Sequence, residues 1–317
     1  MAAMDIIENW KRVSFRICVQ SCVFFLKICL KTDIIFHNLI DPADRKNIWQ
    51  CNNRRLNKKK GMKRMEEKKK ENCGQCRKLR SDAMKSGTDR SLARLLMMSG
   101  GITRAQVRKP LIGVVNSWTN LFTGHAVLDK ISRYVQDGIL MAGGTPAVTN
   151  TIALCDGMCE NTPGMIYPLP SRDIIADSVE AFVEGHSLDG LICIANCDKI
   201  VPGMLMAIMR LNIPAIFLSG GPSLPPENSA ENVGRFARIM AATEKDMDEE
   251  TNERENNPMG PCAGCNSGMG TAVSMQILSE VLGIGVLGNS MIPHFYTERY
   301  NMGVWAGERI VEMVYED

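Results

Sequence analysis

The sequence carries almost no surplus of charge: 37 Lys and Arg stand against 35 Asp and Glu, a formal net charge of +2. A chain so balanced offers no overall field for a nucleic-acid partner. It also lacks a long apolar run. The stretch Ile17 to Leu30 is interrupted by Gln20 and Lys27 and is too short to span a bilayer. Met1 to Trp10 is not the basic start and apolar run of a secretory signal. There is no Walker motif and no strand-GxGxxG-helix fingerprint, so nucleotide binding has no support. The expectation from these absences is a cytoplasmic protein with no membrane and no nucleic-acid partner.

Cysteine, by contrast, is plentiful, at 12 residues. In a reducing compartment such thiols tend to be buried, metal-bound or catalytic rather than paired as disulfides. The charge is also unevenly spread. Lys58-Lys59-Lys60 and Lys68-Lys69-Lys70 crowd into a basic stretch between Arg54 and Arg80, after which the composition turns rich in Gly, Met and Ile. This shift divides the chain into a basic, disordered or non-native leader over 1–78 and a folded domain over 79–317.

Within that domain, short apolar runs alternate with helical periodicity. Strands are predicted at Leu111–Val115, Ala147–Leu154, Leu191–Ala195 and Ala215–Leu218. Helices are predicted at Val127–Met141, from Ser171 onward, at Pro202–Leu211 and at Thr271–Leu282, with a further strand near Ile284–Leu287. Ser171 is read as an N-cap, and Ile174, Ile175, Val179 and Phe182 as the buried stripe behind it. This order predicts an α/β fold: a three-layer domain with a mainly parallel sheet covered by helices on both faces.

In such sheets ligands gather beyond the carboxyl ends of the strands. There the sequence places Asn116-Ser117 with His125, Cys155-Asp156-Gly157, Asn196-Cys197-Asp198-Lys199 and Ser219-Gly220-Gly221-Pro222. His125, Asp156, Cys197, Asp198 and Lys199 are therefore expected around one crevice. Thiolates suit a soft metal such as iron or zinc and carboxylates a hard one such as magnesium, so the mixture suggests two metals side by side. A four-cysteine zinc site from Cys73, Cys76, Cys262 and Cys265 is disfavoured, because the pairs lie far outside zinc-ribbon spacing. The methionines Met204, Met206 and Met209 read as core filler.

Several segments occur in an order that resembles a known family. They are Leu79-Arg80-Ser81-Asp82, Val115-Asn116-Ser117-Trp118 with Gly124-His125, Asn150-Thr151-Ile152-Ala153 through Asp156-Gly157, and Leu169-Pro170-Ser171-Arg172. Asn196-Cys197-Asp198-Lys199, Pro202-Gly203-Met204-Leu205-Met206 and Ser219-Gly220-Gly221-Pro222 complete the set. The chain resembles the dihydroxy-acid dehydratase family, which includes 6-phosphogluconate and sugar-acid dehydratases, from about Leu79 to the end.

The resemblance implies that Cys197 and Cys265 ligate an iron–sulfur cluster. It implies that Asp156 and Asp198 bind Mg2+, and that Lys199 joins them once carboxylated by carbon dioxide. One extra residue separates Cys265 from Ser267-Gly268-Met269, a departure from the family spacing. Glycine at Gly124, where some members carry a further cysteine, implies a 4Fe-4S rather than a 2Fe-2S cluster; Cys155 and Cys262 are then candidates for the third ligand. The implied reaction is elimination of water from a small 2,3-dihydroxy acid to give a 2-oxo acid in branched-chain amino-acid biosynthesis, by a homodimer. The alternatives are a sugar-acid dehydratase, an inactive fragment, or a zinc- or nucleic-acid-binding protein. The family's serine base and last magnesium-binding glutamate have no counterpart before Asp317, so no catalytic residue is assigned and a truncated form is expected.

Overall fold

The computed structural model describes residues 78–224, 248, 250, 262–265 and 269–317. The basic leader, with Cys73 and Cys76, lies outside the described residues, as do Ser267 and Gly268. The described part forms the unit Lys78–Asp317.

Three short helices, α1 (Asp82–Lys85), α2 (Ser91–Ser99) and α3 (Arg104–Val107), lead into the sheet. The strands are β1 (Leu111–Asn116), β2 (Thr145–Asn150), β3 (Gly190–Ala195) and β4 (Ala215–Ser219). All pairings are parallel, in the order β2-β1-β3-β4. The two inner strands β1 and β3 are buried at every position, as their unbroken apolar sequences require. The edge strand β2 is partly exposed and carries Pro146, which an edge position tolerates.

Helix α4 (Leu128–Met141) follows β1; α5 (Asp156–Cys159) and α6 (Ser171–Gly185) follow β2; α7 (Ile200–Leu211) follows β3. Helices α8 (Thr271–Val281) and α9 (Thr297–Glu316) complete the unit. Alternation along the strands sends Ile112, Val114, Ile192, Ile194, Ile216 and Leu218 to one face, where they meet Leu128, Ile131, Val135 and Ile139 of α4 and Ala306, Ile310, Val311 and Val314 of α9. Helices α6 and α7 pack together on the other side, with α8 against α7. The α/β class with a parallel sheet between helical layers is as the sequence predicts.

Four details depart from expectation. Ser171 is the first residue of α6 rather than its cap, and its hydroxyl donates back to the Pro168 carbonyl at 2.7 Å. Ile174 is exposed and Val183 takes its place in the stripe, because Ile175, Val179 and Val183 keep four-residue spacing. The segment near Ile284 makes one parallel bridge, Phe217 to Gly285, and no strand, since a turn at Val286–Asn289 follows at once. Helix α9 has no counterpart among the elements predicted from sequence. It approaches α4 so closely that a Cβ at Gly138 would overlap the Val304 carbonyl, and one at Gly307 the Val135 carbonyl. No helix among the described residues is long and apolar enough to cross a membrane.

Candidate metal centre

Because all strands run the same way, the loops after β1, β2, β3 and β4 emerge at one edge. Asn196, fully buried at the end of β3, joins three of them: its amide nitrogen donates to Gly124 O at 2.8 Å and to Gly221 O at 3.0 Å. The sequence contains Asn196 within a recognised segment, but nothing in its type announces this role.

Cys197-Asp198-Lys199 turn directly from Asn196 into α7. The Lys199 ammonium sits 2.5 Å from Asp198 Oδ2 and 2.5 Å from Asp156 Oδ2. Burial works against its charge, but Asp198 and Asp156 outweigh that effect and raise its pKa. Two carboxylates from different loops thus face a single cation, a geometry that offers anionic oxygen to a hard metal.

Beside them, sulfur atoms of Cys155 and Cys197 and a carboxylate oxygen of Asp156 lie within 4.8 Å of one another. The neighbouring Cys197 thiol, which also lies 3.8 Å from Asp198 Oδ1, brings the Cys155 pKa down to about 7 against the opposing effect of burial. Cys197 is pushed up in turn by this pairing and by its own burial.

His125 holds the main chain behind this pair. Cys197 N donates to His125 Nε2 at 3.1 Å, so that nitrogen is an acceptor. Nδ1 lies 2.6 Å from Ser117 O and therefore carries the proton. The Ser117 hydroxyl, which donates to Ile194 O at 3.0 Å, lies 3.0 Å from the same Nδ1. Burial pushes the His125 pKa down to about 4, the Ser117 hydrogen bond only partly opposing it, and the imidazole is neutral near pH 7.

Cys265 is absent from the three-residue group. It is buried, and it bridges to the loop after β4: Cys265 N donates to Gly221 O at 3.0 Å and Ser223 N to Cys265 O at 2.9 Å. Gly264 makes this possible at φ +132°, where a Cβ would lie 2.6 Å from the Pro222 carbonyl carbon. Burial raises the Cys265 thiol to about 11, although Gln276, donating to the sulfur from 3.2 Å, draws it the other way. Gly124 lies alongside, and a Cβ at that position would fall 3.9 Å from Cys265 Cα. The Cys262 sulfur accepts from Leu224 N at 3.1 Å.

The fully buried Arg299 of α9 fixes the same loop. Its guanidinium donates to the carbonyls of Ser219, Asn289 and Ile292. Neither Arg299 nor Gln276 is singled out by the sequence, since residue type alone does not show which main-chain atoms it meets.

An open parallel sheet with thiols, carboxylates and an amine gathered at its carboxyl edge defines an α/β protein with a group of side chains that could hold a metal ion. Residues 109–317 match the family described as dihydroxy-acid/6-phosphogluconate dehydratase N-terminal, and the chain belongs to that family. Curated relatives include the dihydroxy-acid dehydratases of Desulfosudis oleivorans, 44% identical over 242 residues, and Acetivibrio thermocellus, 46% identical over 243. These alignments cover 74% and 75% of this chain but only 43% and 44% of the relatives. A dihydroxy-acid dehydratase of Clostridium pasteurianum is 42% identical over 240 residues, covering 74% of this chain and 84% of that protein.

Proposed function

We propose that the protein this chain represents is a hydro-lyase of branched-chain amino-acid biosynthesis, removing water from a 2,3-dihydroxy acid to give a 2-oxo acid. The observation that carries the reading is the meeting of Asp156, Cys197, Asp198 and Lys199 at one sheet edge in a chain of this family. The relatives' names favour a dihydroxy acid over a sugar acid as substrate.

The donor set fits two metals. Asp156 and Asp198 already share a cation, which suits Mg2+, and the Cys155 and Cys197 sulfurs are soft donors suited to iron. In this reading Asp156, Asp198 and a carboxylated Lys199 hold Mg2+, while Cys197 and Cys265 hold a 4Fe-4S cluster. When bound, these groups supply Lewis acidity for the carboxylate, the 2-hydroxyl and the departing 3-hydroxyl.

The chain's own residues prepare the site. Carboxylation of Lys199 first takes one proton from its ammonium and then joins the neutral amine to carbon dioxide with release of a second, replacing a cation with a third anionic oxygen donor. His125, neutral and held by Ser117, fixes the amide of Cys197 without adding charge beside the thiols. Asn196 keeps the loops after β1, β3 and β4 in one frame. The base that removes the C2 proton is assigned to no residue described above. The working form in this reading is a cytoplasmic homodimer.

The test is an anaerobic assay of 2-oxo acid formation with chain reconstituted with iron, sulfide and Mg2+, alone and with the carboxyl-terminal half of a relative. Turnover with that half, lost on Cys197→Ser, is the expected result. Zinc as the sole bound metal, or no turnover in either mixture, would overturn the reading.

A further inference from the structure

Gln276 lies on α8 and is fully buried. Its side-chain nitrogen is 2.8 Å from Asn196 O, 2.8 Å from Asn196 Oδ1 and 3.2 Å from Cys265 Sγ. Three acceptors converge on this nitrogen, so the amide orientation is set: the flipped amide would press Oε1 against two oxygens. Oε1 itself is buried without a hydrogen-bond partner. An unpartnered buried acceptor is costly. A residue serving only to fill space would be better replaced by an apolar one of similar volume.

From this geometry we infer that Gln276 is a positioning residue for the metal centre, tying the Cys265 sulfur to the main chain that carries Cys197. Asn196 immediately precedes Cys197, and Gln276 grips Asn196 at both its carbonyl and its side chain. The same amide donates to the sulfur of Cys265. Two cysteines 68 positions apart in sequence are thus referred to one rigid amide on a third element. The N–H donor also stabilises negative charge on sulfur, and hydrogen bonds of this kind raise the reduction potential of a sulfur-ligated cluster.

This inference rests on the proposed cluster at Cys197 and Cys265, and the experiment separates the two. The 317-residue chain, Gln276→Met and Gln276→Glu are each reconstituted anaerobically with iron and sulfide. Methionine keeps the volume and removes the donors; glutamate keeps the shape and replaces the donors with an acceptor. Read-outs are iron and sulfide per chain, the visible spectrum, the reduction potential, and thermal unfolding of the metal-free chain. Expected are a more negative potential and faster loss of iron in air for Gln276→Met, and at least a two-fold lower cluster content for Gln276→Glu. Metal-free Gln276→Met should unfold earlier than the parent, since Asn196 O and Asn196 Oδ1 lose their donor, and this loss is read separately from the cluster read-outs. Parent-like potential and cluster content in both variants would overturn the role of Gln276 while leaving the cluster in place. A parent chain that takes up no iron and sulfide would overturn the cluster reading, and the role of Gln276 with it.

Discussion

Lys199 Nζ and Asp156 Oδ2 lie 2.5 Å apart although one opens a helix after β3 and the other follows β2. The same ammonium reaches Asp198 at 2.5 Å, so a single side chain balances two carboxylates. Lys199→Arg preserves that charge but has no amine to carboxylate. It is expected to unfold close to the parent temperature and to bind Mg2+ at least ten-fold more weakly, as measured by calorimetric titration under carbon dioxide. Equal Mg2+ affinity in the two proteins would remove Lys199 from the ligand set.

The meeting of these groups was legible from sequence because each follows an apolar run, and parallel strands deliver their following loops to a common edge. Asp156, Asp198, Lys199, Cys197 and His125 needed nothing more. Cys265 was legible as a candidate only through the resemblance, and its link to Asn196 through Gln276 emerged only in three dimensions. Asn196, Gln276 and Arg299 act through buried polar contacts with main-chain atoms remote in sequence, and residue type alone does not encode such partners. The same holds for the α4–α9 contact: a glycine in a helix looks like a weakness until a second backbone is found against it.

That contact makes a stability prediction. Gly138→Ala and Gly307→Ala each place a methyl group against a backbone carbonyl of the opposite helix, and rigid backbone yields less than a side chain. Each should cost about 2 kcal/mol or more in urea unfolding. Gly185→Ala is the control: it lies at the end of α6 with nothing within 4 Å of the added carbon. It should be neutral or stabilising by up to ~1 kcal/mol. Equal effects at Gly138 and Gly185 would mean that the helices are not in contact there.

His125 gives a pH dependence. Its folded pKa of about 4 lies below the ordinary 6.5, so the unfolded chain takes up the proton first as pH falls. The stability contributed by the neutral imidazole is full above pH 6.5, is lost progressively toward pH 4, and changes no further below it. The whole shift corresponds to about 3 kcal/mol. Unfolding free energies of the parent and His125→Gln, measured from about pH 4 to 7, should differ in slope by this contribution. Parallel curves would show that His125 is not held neutral.

Arg299 is a buried cation whose partners are carbonyls alone: Ser219, Asn289 and Ile292. Arg299→Met would strand those acceptors in the interior at a cost of about 2–4 kcal/mol. Arg299→Lys should recover little, because an ammonium lacks the planar fork that reaches separate carbonyls. Denaturant midpoints test both, and a Lys variant as stable as the parent would show that charge rather than geometry matters.

In the proposed reading a third thiol joins Cys197 and Cys265 at the iron, and we take Cys155 rather than Cys262 as its source. The resemblance left both as candidates. In space they differ. The Cys155 sulfur lies with Cys197 Sγ and Asp156 within 4.8 Å, whereas the Cys262 sulfur is already engaged by Leu224 N at 3.1 Å. Proximity to Cys197 favours Cys155. Anaerobically reconstituted Cys155→Ser should therefore retain less than half the iron and sulfide of the parent, while Cys262→Ser retains nearly all. Serine keeps the size of each side chain, and thermal unfolding of the metal-free variants guards against a folding defect. The reverse pattern, with Cys262→Ser stripped of iron and Cys155→Ser intact, would assign the third position to the loop that contacts β4 and would make Cys155 a neighbour of the centre, not a ligand.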